Sequence, residues 1–103
     1  MKIALLAFSV VIGSLVTHSD AFAQRELMGA FYQMQMAPTV CGWKDAPNAA
    51  KLDATIAAQE QALRITAAEK ATMRAAAEAD IRADATNCAA DGVLRMMFNE
   101  AVK

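Results

Sequence analysis

Beyond residue 23 the sequence contains no serine and no histidine. Ser9, Ser14, Ser19 and His18, which are all the residues of these two types, lie within the first 23 positions. A serine nucleophile is therefore excluded beyond residue 23, and a cysteine or threonine nucleophile would lack the imidazole base that usually activates it. Two cysteines without a histidine also cannot fill the tetrahedral shell of a zinc site. We expect a protein that is not an enzyme and that carries no cofactor and no metal.

The chain also lacks an excess of charge of either sign. The chain has ten Lys and Arg against eleven Asp and Glu, and its formal net charge is −1. A near-neutral chain gives no electrostatic reason to expect nucleic acid or an anionic membrane surface as a partner. No D-x-D-x-D-G calcium loop is present either. A line of oxygen-bearing side chains at helical spacing is therefore interpreted as a solvated helix face: Asp80, Asp84, Asn87 and Asp91.

The N-terminus has the three-part pattern of a secretory signal peptide. Lys2 precedes an uncharged, mostly apolar run from Ile3 to Val16, and Ala21-Phe22-Ala23 is a small-x-small cleavage site. At about 1.5 Å per residue the apolar run spans roughly 21 Å, which is short of a hydrocarbon core about 30 Å thick. We expect residues 1–23 to be cleaved, and residues 24–103 to be one periplasmic helical domain without stable membrane insertion.

The two cysteines, Cys41 and Cys88, lie far apart in the sequence and form no C-x-x-C redox motif. In an oxidising compartment two cysteines usually pair. Closing a loop of this length would stabilise a small domain by roughly 4 kcal/mol. We therefore expect an intramolecular Cys41–Cys88 disulfide with the indole of Trp43 against it. An intermolecular disulfide and two free thiols are the alternatives.

Alanine is abundant beyond residue 23, and long strand-like alternations are missing, so the sequence predicts helices. The apolar spacing predicts a first helix over about residues 25–36, which Pro38 is expected to end. A linker over 37–46 would then carry Cys41. A second helix is predicted over 47–64, with Pro47 in its first turn.

Thr66 and Glu69 have the spacing of a capping box, which predicts that a third helix starts there and extends to about residue 91. Gly92 either ends or kinks it, and a last amphipathic stretch leads to the C-terminus. The expected fold is an all-α bundle of three to four helices, with an antiparallel hairpin (47–64 against 67–91) tethered by one disulfide. A charged i, i+4 pair, Glu60–Arg64, is expected to support the second helix, and exposed pairs are expected at Glu78–Arg82 and Asp91–Arg95.

Two clusters combine methionine with aromatic residues. The first comprises Met28, Phe31, Tyr32, Met34 and Met36, and the second comprises Met96, Met97 and Phe98. Exposed Met-rich surfaces suit partner binding, whereas the alternative is that both clusters form the protein's own core. Because the first helix lies outside the Cys41–Cys88 loop and is tethered at one end only, we expect Phe98 to be core. The residues expected to contact a partner are Phe31, Tyr32, Met34 and Met36.

Met34-Gln35-Met36 also gives an M-x-M spacing, and thioethers are soft ligands for Cu(I). Two residues apart on a helix, however, these side chains would point about 200° apart. Methionine at helical spacing is more often adaptable core filling.

The expected function is that of a small exported protein that binds another protein, as a chaperone-like factor or an accessory subunit, with a homodimer left open. In size, compartment, helix content and cysteine number the chain resembles small exported helical proteins with one disulfide, a group that includes acid-stress chaperones of the Gram-negative periplasm. The alternative is an inhibitor or immunity protein against a secreted enzyme. A Met-rich copper carrier is the third hypothesis.

Overall fold

The computed structural model describes residues 24–103, which are all-helical, without a strand in that range. The elements are α1 over residues 24–41, α2 over Ala50–Ala62, α3 over Ala67–Ala83, a short 3₁₀-helix over Ala85–Cys88 and α4 over Val93–Ala101. The predicted helical bundle tethered by one disulfide is confirmed. The predicted signal peptide, residues 1–23, lies outside the described residues.

The first helix continues past Pro38, where the sequence predicted that it would end. Proline inside a helix removes a backbone donor and crowds the preceding turn, at a cost of about 3 kcal/mol. Contacts on both sides of Pro38 offset this cost, because Ala37 is fully buried and Cys41 is held by the disulfide. The Pro38 carbonyl also accepts a hydrogen bond from the Trp43 N–H at 2.9 Å. Cys41 therefore lies in the last turn of α1 and not in a linker.

The second helix is shorter than predicted at both ends. Pro47 precedes it, and the Asn48 side-chain oxygen accepts a hydrogen bond from the Ala50 N–H at 2.7 Å. At the other end Arg64 adopts a left-handed conformation with φ 53°. The Arg64 N–H then reaches back to the Gln61 carbonyl, and the Ile65 N–H reaches the Glu60 carbonyl. This pair of bonds is a Schellman motif, which ends a helix by satisfying its last carbonyls.

The third helix starts as predicted but ends earlier. Thr66 accepts a hydrogen bond from the Glu69 N–H, and the Glu69 side chain accepts one from the Thr66 N–H, both at 3.1 Å. This confirms the capping box. The helix ends at Ala83, because the Asp84 side chain binds the Thr86 N–H at 2.9 Å and starts the 3₁₀-helix.

Because α3 ends at Ala83, two residues take roles that the sequence did not predict. Gly92 neither ends nor kinks α3 but is the N-cap of α4. Asp84 belongs to the turn between α3 and the 3₁₀-helix, so the predicted acidic line does not lie along one helix. Asp80, Asp84 and Asp91 are nevertheless exposed, in agreement with a solvated surface.

Helix α1 makes polar contacts with both α2 and α3. Near its start, Arg25 donates to the Leu63 carbonyl after α2 and pairs with Glu69 at the beginning of α3. Further along, Gln35 donates to Asp53 at 3.0 Å, close to the start of α2, and accepts from Arg74 of α3 at 2.5 Å. Helix α1 therefore runs antiparallel to α2 and parallel to α3, and the predicted antiparallel order of α2 and α3 holds.

Every α-helix contributes to one buried apolar cluster. Its members are Met28, Tyr32, Met34, Ala37, Leu52, Ile56, Ala77, Ile81, Leu94 and Phe98. Phe98 is fully buried, as predicted, and its ring centroid lies 5.9 Å from that of Trp43 in a tilted arrangement. Helix α4 is thus attached through Leu94 and Phe98, which leaves its other face toward solvent.

Candidate functional site

An open apolar groove of about 500 Å³ lies where α1 and α4 meet. It is lined by Met34, Met96, Met97, Glu100 and Ala101. Met34 is only 5% exposed and forms the floor, whereas Met96 is 61% exposed and Met97 40% exposed. Apart from Glu100, every lining side chain is apolar. The groove therefore offers water-exposed methionine surface above a fixed, buried floor.

Helix α4 has a second apolar stripe besides the one that it buries. Leu94 and Phe98 are separated by one helical turn and face the core. Val93, Met96 and Met97 follow i, i+3, i+4 spacing, and Val93 is 72% exposed. Such spacing is typical of a helix face that is buried against another surface. In this structure the stripe is exposed.

The four residues predicted to contact a partner lie in different places. Tyr32 is fully buried and Met34 is almost so, which corrects the expectation that they form an exposed surface. Phe31 and Met36 are half-buried and pack against the core. Only Met34 lines the groove. A role of these four residues in protein binding stays a prediction.

Tyr32 is buried because its hydroxyl has a partner at the junction of three helices. It donates a hydrogen bond to Glu60 of α2 at 2.7 Å, and Lys70 of α3 pairs with the same carboxylate at 3.1 Å. Burial, followed by the bond to Glu60, raises the pKa of Tyr32. The bond from Tyr32 and the ammonium of Lys70 together lower the pKa of Glu60. Glu60 therefore binds Lys70 instead of the predicted partner, Arg64.

Arg95 also departs from its predicted role. It is 8% exposed, and its guanidinium lies 4.8 Å from the ring centroid of Trp43. It donates to Asp45 and Asn99, both at 3.2 Å, and forms no ion pair with the predicted partner, Asp91. The Arg95 hydrogen bond is the main reason that the pKa of Asp45 is lowered. The exposed Glu78–Arg82 pair, by contrast, is present as predicted at 3.3 Å.

The predicted disulfide joins Cys41 to Cys88, with their Cα atoms 5.2 Å apart. It links the end of α1 to the 3₁₀-helix. The indole N–H of Trp43 donates to the Cys88 carbonyl at 2.9 Å, so the tryptophan lies beside the bridge as expected. Both cysteines are consumed in this bond. The alternatives of free thiols and an intermolecular disulfide do not apply to this structure.

A second hollow, of about 320 Å³, lies at the beginning of α3. Its only charged lining group is Glu69, which already binds Arg25 at 2.6 Å and caps α3. The backbone bond from Thr66 and then the Arg25 guanidinium lower the pKa of Glu69. These contacts explain Glu69 as a structural residue. The candidate site is therefore the groove lined by Met34, Met96 and Met97, which we call the methionine groove.

Between residues 24 and 103, no three His, Cys, Asp or Glu side chains are grouped so that they could hold a metal ion. No helix of that range is long and apolar enough to cross a membrane.

Comparison with known proteins yields no relative: no family model matches the chain, and neither does any curated protein or solved structure. The molecule is defined by its own geometry as an all-helical, disulfide-bonded fold. Its candidate site is the groove between α1 and α4. Met96 and Met97 form a cluster that is evident in the sequence, but the sequence does not indicate that they share a site with Met34.

Proposed function

We propose that this protein is an exported, non-enzymatic protein of the periplasm that binds an apolar segment of another protein in the methionine groove. It would act as a chaperone-like factor or as an accessory subunit. One observation carries the proposal: Met96 and Met97 are 61% and 40% exposed on an open groove with apolar walls. Exposed apolar side chains that are grouped in one open groove are the feature expected of an interaction surface.

The composition of the groove suits partners of varied shape. Methionine has an unbranched, polarisable side chain that adapts to different apolar surfaces. Complete burial of one such side chain contributes about 1.5–3 kcal/mol relative to leaving it exposed. Met96, Met97 and Val93 lie on the same face of α4, so a single apolar segment could cover all three.

Other features support the export and the absence of catalysis. The Cys41–Cys88 disulfide is typical of an oxidising compartment, and residues 1–23 have a signal-peptide pattern. The absence of serine and histidine beyond residue 23 removes the usual side chains of nucleophilic catalysis.

An aggregation assay with unrelated, unfolding client proteins tests the proposal. Light scattering by the client should fall when the intact protein is added in stoichiometric amounts. Met97→Glu should abolish this effect, because a carboxylate in the groove must lose its hydration when a client binds. Leu27→Glu is the matched control: Leu27 is 53% exposed on α1 and does not line the groove. That variant should act like the parent.

Equal activity of Met97→Glu and the parent would show that clients bind elsewhere. A protein that leaves all clients to aggregate, yet binds one secreted enzyme tightly, would instead favour the inhibitor or immunity hypothesis. The folded state of each variant is checked by its cooperative thermal transition.

A further inference from the structure

Three of the methionines beyond residue 23 meet in one groove although they are distant in the sequence. Met34 comes from α1, and Met96 and Met97 are consecutive residues of α4. Both helices contribute to the same buried cluster, α1 with Met34 among others and α4 with Leu94 and Phe98. Half of the methionine sulfurs between residues 24 and 103 therefore belong to one small site.

The ligand chemistry of this site is restricted. Thioether sulfur is a soft, neutral ligand that selects soft cations such as Cu(I), whereas calcium and magnesium require oxygen ligands. The groove contains no imidazole, and both cysteines are in the disulfide, so no thiolate competes for the metal. The one hard ligand at the rim, Glu100, is paired with Lys103 at 2.7 Å.

We propose that Met34, Met96 and Met97 form a thioether site for a soft monovalent cation, Cu(I) or its redox-inert analogue Ag(I). The site differs from the M-x-M pattern of the sequence, because Met36 does not line the groove. It also goes beyond the binding of protein clients. Client binding depends on the apolar volume of the groove, and cation binding depends on its sulfur atoms.

The exposures of the three side chains fit this role. Met34 is 5% exposed, so the surrounding residues hold its sulfur atom in place as one ligand of the cation. Met96 and Met97 are exposed and have flexible side chains, so their sulfur atoms can turn toward a cation without a change in the helices. The groove is open to solvent, which gives the cation an entry path.

The cation should bind with little dependence on pH. Metal sites built from thiolate, imidazole or carboxylate lose affinity as their ligands are protonated. A thioether carries no titratable proton, so the affinity for Ag(I) should be nearly constant between about pH 7 and about pH 5.

Titration of the disulfide-bonded protein with silver nitrate, followed by NMR of ¹³C-labelled methionine methyl groups, tests the site directly. One equivalent of Ag(I) should shift the signals of Met34, Met96 and Met97. Signals of the methionines outside the groove should stay in place: Met28, Met36 and Met73. Shifts of Met34 together with Met36, or of no methyl group, would overturn the proposal.

Leucine variants test whether the methionine sulfur atoms hold the cation. Met96→Leu and Met97→Leu keep an apolar groove but remove one sulfur each. Each should weaken Ag(I) binding by at least about tenfold, the lower bound for loss of even an outer-shell partner. Met36→Leu, on α1 and outside the groove, should bind as the parent does. Suppression of client aggregation should persist in Met36→Leu, because Met36 does not line the groove.

Competition with a chromogenic Cu(I) chelator under reducing, disulfide-preserving conditions gives the affinity for the biological metal. One Cu(I) should bind per chain, and each leucine change within the groove should weaken it. Unchanged affinity in Met96→Leu and Met97→Leu would overturn the thioether site. So would a steep loss of Ag(I) affinity from pH 7 to pH 5, since it would indicate a carboxylate site.

Discussion

The indole N–H of Trp43 donates a hydrogen bond to the carbonyl oxygen of Cys88 at 2.9 Å. The Trp43 ring centroid also lies 4.8 Å from the Arg95 guanidinium carbon and 5.9 Å from the Phe98 ring centroid. One side chain thereby connects the segment after α1, the 3₁₀-helix and α4. The bond, the cation–π contact and the aromatic contact all depend on the indole.

Replacement of this tryptophan should therefore loosen α4 without opening the disulfide. Trp43→Phe removes the donor to the Cys88 carbonyl and weakens the contact with Arg95. The free energy of unfolding should fall by about 1–3 kcal/mol. Chemical denaturation measures this change, and a thiol titration confirms that the disulfide remains. A variant as stable as the parent would show that solvent replaces the indole bond at no cost.

Loss of the disulfide should have a larger effect. Protein purified from an oxidising compartment should contain no free thiol, and Cys88→Ala should lower the free energy of unfolding by about 2–5 kcal/mol, mainly because the unfolded chain gains freedom. Reduction of the parent protein under native conditions is the matched control and should shift unfolding in the same direction. Two titratable thiols in the native exported protein would contradict the pairing.

Stability should decrease in acid because four carboxylates have lowered pKa values in the folded protein: Asp45, Glu60, Glu69 and Asp84. Such a group contributes fully at a pH above its unfolded pKa, about 3.9 for Asp and about 4.3 for Glu. Its contribution to the free energy of unfolding is lost as the pH falls through its lower pKa in the folded protein. As far as these groups are concerned, the denaturation midpoint should be nearly constant from neutral pH down to about pH 5. At lower pH the midpoint should decrease.

Glu60→Gln isolates the carboxylate that joins three helices. The amide can still accept a hydrogen bond from Tyr32 but offers no charge to Lys70. This variant should be less stable at neutral pH and lose less stability in acid than the parent. Glu78→Gln, which removes only an exposed pair on α3, should keep the parental acid dependence. Identical acid profiles for Glu60→Gln and the parent would exclude Glu60 as a source of the decline.

Arg64 is expected to be a site where glycine is better than the native residue. Its left-handed φ of 53° crowds the Cβ atom of an L-residue, and this costs about 1–2 kcal/mol. Arg64→Gly should raise the free energy of unfolding by about 0.5–1 kcal/mol, because part of the gain is lost to a more flexible unfolded chain. Arg64→Ala keeps the crowding and is the control. A less stable glycine variant would indicate that the arginine side chain makes a compensating contact.

Local signals explain what the sequence predicted well. The Thr66–Glu69 capping box depends on side chains that reach only their own helix end, and it formed as predicted. The disulfide followed from there being two cysteines in a chain with an export pattern. The all-helical class followed from alanine content and apolar spacing.

Tertiary contacts explain why some predictions from the sequence were wrong. A charged i, i+4 pair forms only if both residues face solvent, and Arg95 instead turns inward to Trp43 and Asp45. Pro38 did not end α1 because burial of Ala37 and the disulfide at Cys41 outweigh the local cost.

The candidate site was visible only in part. The exposed stripe of α4 could have been read from the spacing of Val93, Met96 and Met97. Its convergence with Met34 could not, because it depends on how α4 packs on α1. Sequence position alone placed Tyr32 on a contact surface, whereas its hydroxyl anchors it to Glu60 inside the bundle.

The Cys41–Cys88 bond turns the segment that contains α2 and α3 into a covalent ring. A pulling force applied between residue 24 and Lys103 would therefore lengthen only the chain before Cys41 and after Cys88. Helix α4 and most of α1 would extend under tension, while the segment closed by the disulfide would not lengthen. A force that pulls on the C-terminus would unfold α4 first and then meet two segments of chain at once, so the disulfide acts as a mechanical stop at the base of the methionine-bearing helix.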